Sequence, residues 1–488
     1  MFLGEGGKAV NSGGYGCIFR PALRCKGARK RKRGVSKLMT KEHAATEYAT
    51  VTNFLDKLKE IPNYSRYFVV DGVSVCEPAP LTSSDLRTYD DVCSVLAAKG
   101  FTRADVNSRL TDLRAMRMPD AGMDLAQYID EHPASVSLVK KLNRNIADLL
   151  ENAIVPMNRL GVLHMDVKAS NIMVGAKTNR GNFKLVDWGV ADVYDGRYVP
   201  LQSTARPVQY NIPFTAILLN DAFPPMYAEL LRSSPGILDG SEAHNKQLDA
   251  FIINFYFHWQ DIRGPGHHQY IESLCRLFVT SELGRDVPFD EVVALGQYCL
   301  YDALTGHISR VLKKYTKGDV FDVDRYFNEV YSKNVDVWGL VMSYETLLTR
   351  VDADDSELTD QQRRTVRDFV AGLVTDYLYG GGTAPIDVKE LVRSMGEFDS
   401  AMDGPLSAAP RRLPRCKKGT RRDRRSHRCL PKHATAARRH QHRRCPAGTR
   451  RNRHTRKCDP KTGPRTGRDT LLRRERLPSG VRELLTKS

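Results

Sequence analysis

The 488-residue sequence predicts an α+β protein in two lobes, followed by a separate basic tail. Three observations carry this. The first 118 residues mix Gly-rich turns with short strand-like runs and one amphipathic helix. Residues 215–400 are helical in pattern almost throughout. Beyond residue 405 apolar periodicity gives way to Arg, Lys, His, Pro and Gly.

The elements follow in order. "KAVNSGGYGCIF" reads as strand, turn, strand, and "GVSKLM" as a further strand after the basic run 26–33. That run is a solvated loop or, alternatively, a nuclear-import signal. Residues 41–60 form a helix: Ala45, Tyr48, Ala49, Val51, Phe54, Leu55 and Leu58 recur every three or four positions, and Pro62 stops it. "RYFVVDGVSVC" reads as strand material. "DLRAMRMPDAGMDLAQYI" runs from a strand through a Pro/Gly connection into a helix. Residues 136–160 give a helix ended by Gly161, followed by two short strands, "NIMVGA" and "NFKLVDWG". The domain reading is 1–405 for the folded body, about 1–118 for its first lobe and about 122–405 for its second. Residues 406–488 form the tail.

Charge divides the same way. Residues 411–488 hold 28 Lys+Arg against 5 Asp+Glu, whereas the preceding 410 hold 47 against 52. The body is therefore near neutral and was not built mainly to grip nucleic acid. With 41% apolar residues it can bury a sizeable core. No apolar run reaches 18 residues, so no membrane span is expected, and "MFLGEGGKAV" lacks the pattern of a secretory signal. Cys17, Cys25, Cys76, Cys93, Cys275 and Cys299 are scattered without pattern, as in reduced intracellular proteins.

Phosphoryl transfer from a nucleotide needs glycines where backbone approaches phosphate, a cation on the α/β-phosphates, oxygen ligands for Mg2+, and a carboxylate for the acceptor hydroxyl. Each candidate alone is ordinary: a Gly cluster is usually a turn, and a lone Lys usually solvated. Their order is not ordinary. Gly13, Gly14 and Gly16 precede Cys17 and Ile18; Lys37 follows in "VSK"; Asp166 stands in "HMDVKASN" (164–171) with Lys168 and Asn171; Asp187 closes the strand of "LVDWG".

These motifs resemble those of eukaryotic-type protein kinases over residues 5 to about 400: the Gly-rich loop, the strand lysine, "HRDLxxxN" and "DFG". "NVDVWGL" resembles a further family helix, which makes Asp336 the buried aspartate that anchors the catalytic loop. The resemblance implies a bilobal kinase-like fold, with a small β-rich lobe and a large helical lobe, that uses ATP and Mg2+. It implies Asp166 as catalytic base, Lys168 on the γ-phosphate, and Asn171 and Asp187 as metal ligands. Gly13, Gly14, Gly16 and Ile18 would cover the nucleotide. Lys37 would bind its phosphates while paired with a helix glutamate, Glu47 in preference to Glu42. Asp124 in "GMDL" falls at a ribose-contact position, though a helix N-cap accounts for it equally. Lys168 is the Ser/Thr-kinase pattern and implies a protein substrate over a small molecule. A scaffold that has lost catalysis is the rival reading.

The chain also departs from that pattern. Asn11 stands where the first glycine is expected, and Trp188 replaces Phe. The segment 206–214, "RPVQYNIPF", is the expected end of the activation segment. The stretch 215–330 exceeds what the family core needs and reads as a helical insert, with "LDAFIINFYFHW" as helix core. Met165 removes the arginine that in relatives pairs with a loop phosphate. The expectation is an enzyme that needs no phosphate on Ser203 or Thr204.

The tail holds a repeat, "RCKKGTRRDRRSHRCLP" (415–431) and "RCPAGTRRNRHTRKCDP" (444–460), each with C-x12-C spacing. It reads as a disordered polycation, as cysteine-closed hairpins, or, least well, as a zinc site with His427, His442 and His454. In every case residues 406–488 should bind nucleic acid or other polyanions with strong salt dependence. Paired-cysteine basic repeats together with "NSGGYGCIF" and "VSKLM" are similar to those of kinases from nucleocytoplasmic large DNA viruses. That implies a setting in the host cytoplasm or virus factory, packaging in the virion, or the nucleus.

Overall fold

A computed structural model describes residues 7–30, 33–175, 183–283 and 288–403, with four short tail strands at 420–422, 429–431, 449–451 and 458–460. The protein is α+β. A five-stranded antiparallel sheet is built from β1 (Lys8–Gly13), β2 (Gly16–Arg20), β3 (Val35–Thr40), β4 (Ser74–Cys76) and β5 (Leu113–Met118), in the order β1-β2-β3-β5-β4. β1 and β2 close on Gly13 opposite Gly16, leaving Gly14 and Tyr15 as the turn. Gly16 is required by packing: a Cβ there would lie 2.5 Å from the Leu38 carbonyl oxygen. β3 is the central strand. Its residues 35–39 are all buried, because it pairs on both edges and is covered on both faces.

Helix α1 (Lys41–Lys59) packs on this sheet through Ala44, Glu47, Val51, Phe54 and Leu58, a three-four spacing that lays one stripe inward. The expected strand "RYFVVDGVSVC" is realised only at its end, as β4. Tyr64–Tyr67 is a single helical turn, and Val69 N–H bonds the Leu185 carbonyl instead of a sheet neighbour.

One expectation is corrected here. Four of the six body cysteines are joined, Cys17–Cys93 and Cys25–Cys76, with Cα separations of 5.2 and 5.8 Å. Only Cys275 and Cys299 are free among the described residues. The pattern was invisible in the sequence because the partners are 76 and 51 residues apart and meet only through the sheet's tertiary packing. Cys17 and Cys93 lie in the same buried cluster as Phe19, Leu38, Tyr89 and Leu113.

After β5, the short strand β6 (Met123–Asp124) joins a small sheet with β7 (Ile172–Val174) and β8 (Phe183–Leu185), in the order β6-β7-β8. Val162–Leu163 pairs with Asp192–Val193, and Thr316–Lys317 with Val320–Phe321; the rest of the regular structure in the body is helical. The periodic run 136–160 is α2 (Val136–Leu149), a π-helical turn (Leu150–Ile154), and a last α-turn (Val155–Arg159). The extra stretch contains α3 (Glu242–Arg263), α4 (His268–Leu283) and α5 (Phe289–Tyr315). In α3 the apolar run buries Leu248, Ile252, Phe255, Tyr256 and Trp259, as a core helix does. Helix α6 (Ser332–Met342) is buried at every residue except Lys333, so it is the axis of the helical part. No helix among the described residues is long and apolar enough to cross a membrane.

Contacts divide the chain after Met402, and Asp403–Leu477 forms a second unit. Within it two hairpins repeat. Thr420–Arg422 pairs with Cys429–Pro431, and Thr449–Arg451 with Cys458–Pro460, in the same register. The three readings of the repeat, polycation, cysteine-closed hairpins and zinc site, concern residues that lie for the most part outside the described ones. The side chains that would tell thiol, disulfide and zinc apart lie outside the described residues.

Candidate active site

A cleft of about 1060 Å³ opens between the β1–β2 turn and the loops that flank β7 and β8. Gly13, Gly14, Ile18, Lys37, Glu47, Asp124, Asp166, Lys168, Asn171 and Asp187 all line it. Gly16 does not. It is buried in β2, so its glycine serves the approach of β3 and not a ligand.

One wall is an ion cluster. Lys37 Nζ lies 2.8 Å from Glu47 Oε2 and 2.9 Å from Asp187 Oδ1. β3 supplies the lysine, and the third-position spacing of α1 turns Glu47 toward it while Glu42 stays exposed. Lys37 and Glu47 are 4% and 5% exposed. Burial pushes the Lys37 ammonium down, but the two carboxylates outweigh it and hold its pKa above the usual lysine value. Burial raises Glu47 despite Lys37, whereas Lys37 holds Asp187 below the ordinary carboxylate range against the effect of burial.

The other wall is a loop fastened from below. Asp336, fully buried on α6, accepts N–H bonds from His164 at 2.9 Å and Met165 at 2.7 Å, and one from Asn158 Nδ2 at 2.7 Å. These bonds hold Met165 at φ 58°, a left-handed conformation that a side-chain-bearing residue adopts only when its surroundings impose it. His164 uses both ring nitrogens: Nδ1 accepts from Asp166 N–H at 3.3 Å and Nε2 donates to the Val186 carbonyl at 3.0 Å. It thereby ties the loop to the segment that carries Asp187. Trp188 is buried among Phe54, Phe68 and His164, so the larger ring fits beneath α1.

Asp166 stands at the centre. Its Oδ2 receives Lys168 Nζ at 2.9 Å and Asn171 Nδ2 at 3.0 Å. Its Oδ1 receives Asn211 Nδ2 at 2.9 Å, with Arg206 Nη2 at 3.6 Å. Arg206 and Asn211 were not singled out by sequence reasoning. They follow 40 and 45 residues later, inside the segment 206–214 read as the expected end of the activation segment, but no spacing rule singles out either residue within it. Asp124 accepts the Gln127 N–H at 2.9 Å as the N-cap of Leu125–Asp130 while also lining the cleft, so both of its readings have a geometric basis.

The arrangement offers a cation between two acids on one side, and an acid flanked by a cation and two amides on the other. Its oxygen donors suit a hard divalent ion that keeps other ligands of its own. No cluster of three or more His, Cys, Asp or Glu among the described residues forms a cage by itself. No family model matches the chain, and no curated protein matches it.

Proposed function

We propose that this chain is a Mg-ATP-dependent serine/threonine protein kinase with a bilobal kinase-like body. One observation carries the reading: Lys37 joins Glu47 and Asp187 in the cleft that also holds Asp166, Lys168 and Asn171. A cation that neutralises phosphate and a carboxylate in the same cleft to meet a hydroxyl are the two things this chemistry asks of a protein.

In this reading Gly13 and Gly14 let backbone N–H groups approach the phosphates, and Lys37 takes the α/β-phosphates. Asp187 and Asn171 would hold Mg2+, which supplies charge neutralisation on the phosphate oxygens. Asp166 orients the acceptor hydroxyl and takes its proton as the hydroxyl oxygen bonds the γ-phosphorus. The bond from that phosphorus to the β–γ bridging oxygen breaks, and ADP leaves. Lys168, already beside Asp166, is within reach of the transferred group. The basic residues 406–488 bind nucleic acid or another polyanion and tether the enzyme, in keeping with the resemblance to kinases of large DNA viruses.

The test is transfer of labelled phosphate from ATP to a basic and an acidic protein, by wild type and Asp166→Asn. Transfer by wild type alone is expected. No transfer by wild type overturns the reading in favour of a scaffold, and equal transfer by both overturns the role given to Asp166.

A further inference from the structure

The helices between 242 and 283 exceed what the cleft itself requires and do not line it, yet they grip the segment whose Arg206, Pro207 and Gln209 do. The segment 206–211 presents three alternate carbonyls to the helical part, and each receives an N–H. Trp259 Nε1 of α3 donates to the Arg206 carbonyl at 2.8 Å. His267 N–H donates to the Val208 carbonyl at 2.8 Å. Trp338 Nε1 of α6 donates to the Tyr210 carbonyl at 2.9 Å. Such spacing, one donor every second residue, fastens an extended chain along its length.

The packing around these bonds is tight. Gly266 sits at φ 54°, and a Cβ there would lie 2.2 Å from the Val208 carbonyl oxygen. The Tyr210 ring packs against His267 and Tyr270, with centroids 5.4 and 4.7 Å away. Tyr256 OH meets His268 Nδ1 at 2.7 Å and braces the corner between α3 and α4. At the two ends of the fastened segment stand the side chains that face Asp166. Asn211 bonds its Oδ1, and Arg206 lies beside it, steadied by Gln209 Oε1 at 2.8 Å from its Nε.

We infer that the α3–α4 corner is a built-in clamp, in which Trp259 and His267 are positioning residues that hold Arg206 and Asn211 against Asp166. The inserted helices thus do permanently what a loop phosphate does in enzymes that pair it with an arginine next to the catalytic aspartate. Met165 occupies that neighbouring position here and offers no charge. The inference rests on the kinase reading for the role of Asp166, but the clamp itself is a statement about the segment.

Two readouts on the full-length chain keep those claims apart. The first is hydrogen exchange of the amides in 206–211; the second is kcat and the KM for ATP. The variants are Trp259→Phe, which keeps an aromatic ring and loses only the N–H donor, and Gly266→Ala. Losing one such bond should speed exchange in 206–211 about fivefold, with exchange in β1–β3 unchanged. For kcat we expect a fall of about fivefold or more with the KM for ATP unchanged. Unchanged exchange in the segment for both variants overturns the clamp. So does a loss that falls on the KM for ATP and not on kcat. A wild-type protein that transfers no phosphate sinks the kinase reading, while the exchange result still decides the clamp.

Discussion

The two walls of the cleft are held by opposite means. Lys37 and Glu47 stand on regular structure, a central strand and the helix that follows it, and form a buried ion pair, with the partly exposed Asp187 carboxylate as the lysine's second partner. Asp166 stands on a loop, and its position depends on hydrogen bonds both from near neighbours such as His164 and from distant residues, Asn211 directly and Asp336 through Met165. The first wall will therefore fail through stability and the second through geometry. A buried charge cluster is costly to break but insensitive to small shifts, whereas a carboxylate aimed by hydrogen bonds loses function with displacements of about 1 Å.

The largest effect should come from breaking the first wall. Lys37→Met leaves Glu47 and Asp187 facing each other without their cation. We expect a loss of about 3–5 kcal/mol at pH 7 in urea unfolding, together with loss of nucleotide binding. The deficit should shrink at pH 5 and below, because the orphaned carboxylates can then take protons. A variant as stable as wild type at pH 7 would mean that Lys37 is not the counter-charge of this cluster.

The second wall is broken at its anchor. Asp336→Asn keeps the volume but removes the charge and one acceptor oxygen from a site with three donors. Bonds to a charged acceptor are worth about 1.5–3 kcal/mol each, so a loss of about 2–3 kcal/mol is expected. Phosphate transfer should fall at least tenfold while nucleotide affinity changes little. Equal losses in both would show that the anchor supports the whole cleft and not this wall alone.

These contrasts explain what could be read in the sequence. The first wall was legible because its parts lie on periodic elements: the spacing of α1 selects Glu47, and the apolar run of β3 places Lys37 in a central strand. The loop residues Asp166, Lys168 and Asn171 were legible as a compact motif. Arg206 and Asn211 were not, since only packing by α3, α4 and α6 brings them to Asp166. The disulfides were missed for the same reason. Met165 looked like a lost arginine; the structure adds that its backbone is held at positive φ by Asp336.

A comparable but pH-dependent effect distinguishes the packing beneath the second wall. Burial pushes the Glu345 carboxyl, beside Tyr270, up to about 7 from its ordinary 4.5. The folded state thus favours the protonated form. Its contribution is complete below about pH 4.5 and is lost as pH rises toward 7. His307, packed against Phe214 and Trp338, is pushed by burial down to about 4 from 6.5, so its contribution is complete above 6.5 and is lost as pH falls. The two slopes oppose each other between about 4.5 and 6.5. Glu345→Gln removes one of them. Relative to wild type it should gain up to about 3 kcal/mol as pH rises from 4.5 to 7, measured by urea unfolding at each pH. A constant difference across that range would place the Glu345 titration elsewhere.

The smallest effect tests whether the second wall needs a modification at all. Ser203 is 1% exposed, and its hydroxyl donates to Met165 Sδ at 3.1 Å. Met165 is 2% exposed in an apolar cluster with Leu163, Ile212, Ala216 and Tyr331. A phosphate on Ser203 would drive about two negative charges into that cluster with no arginine in the place of Met165 to receive them. A hydroxyl–thioether bond contributes little, so Ser203→Ala should keep kcat within about twofold. Ser203→Asp should cut it far more, because it buries a charge where the alanine buries a methyl. The reverse order, with alanine inactive and aspartate active, would make Ser203 a site of activating phosphorylation. The clamp would then be an adjunct to that phosphate and not a replacement for it.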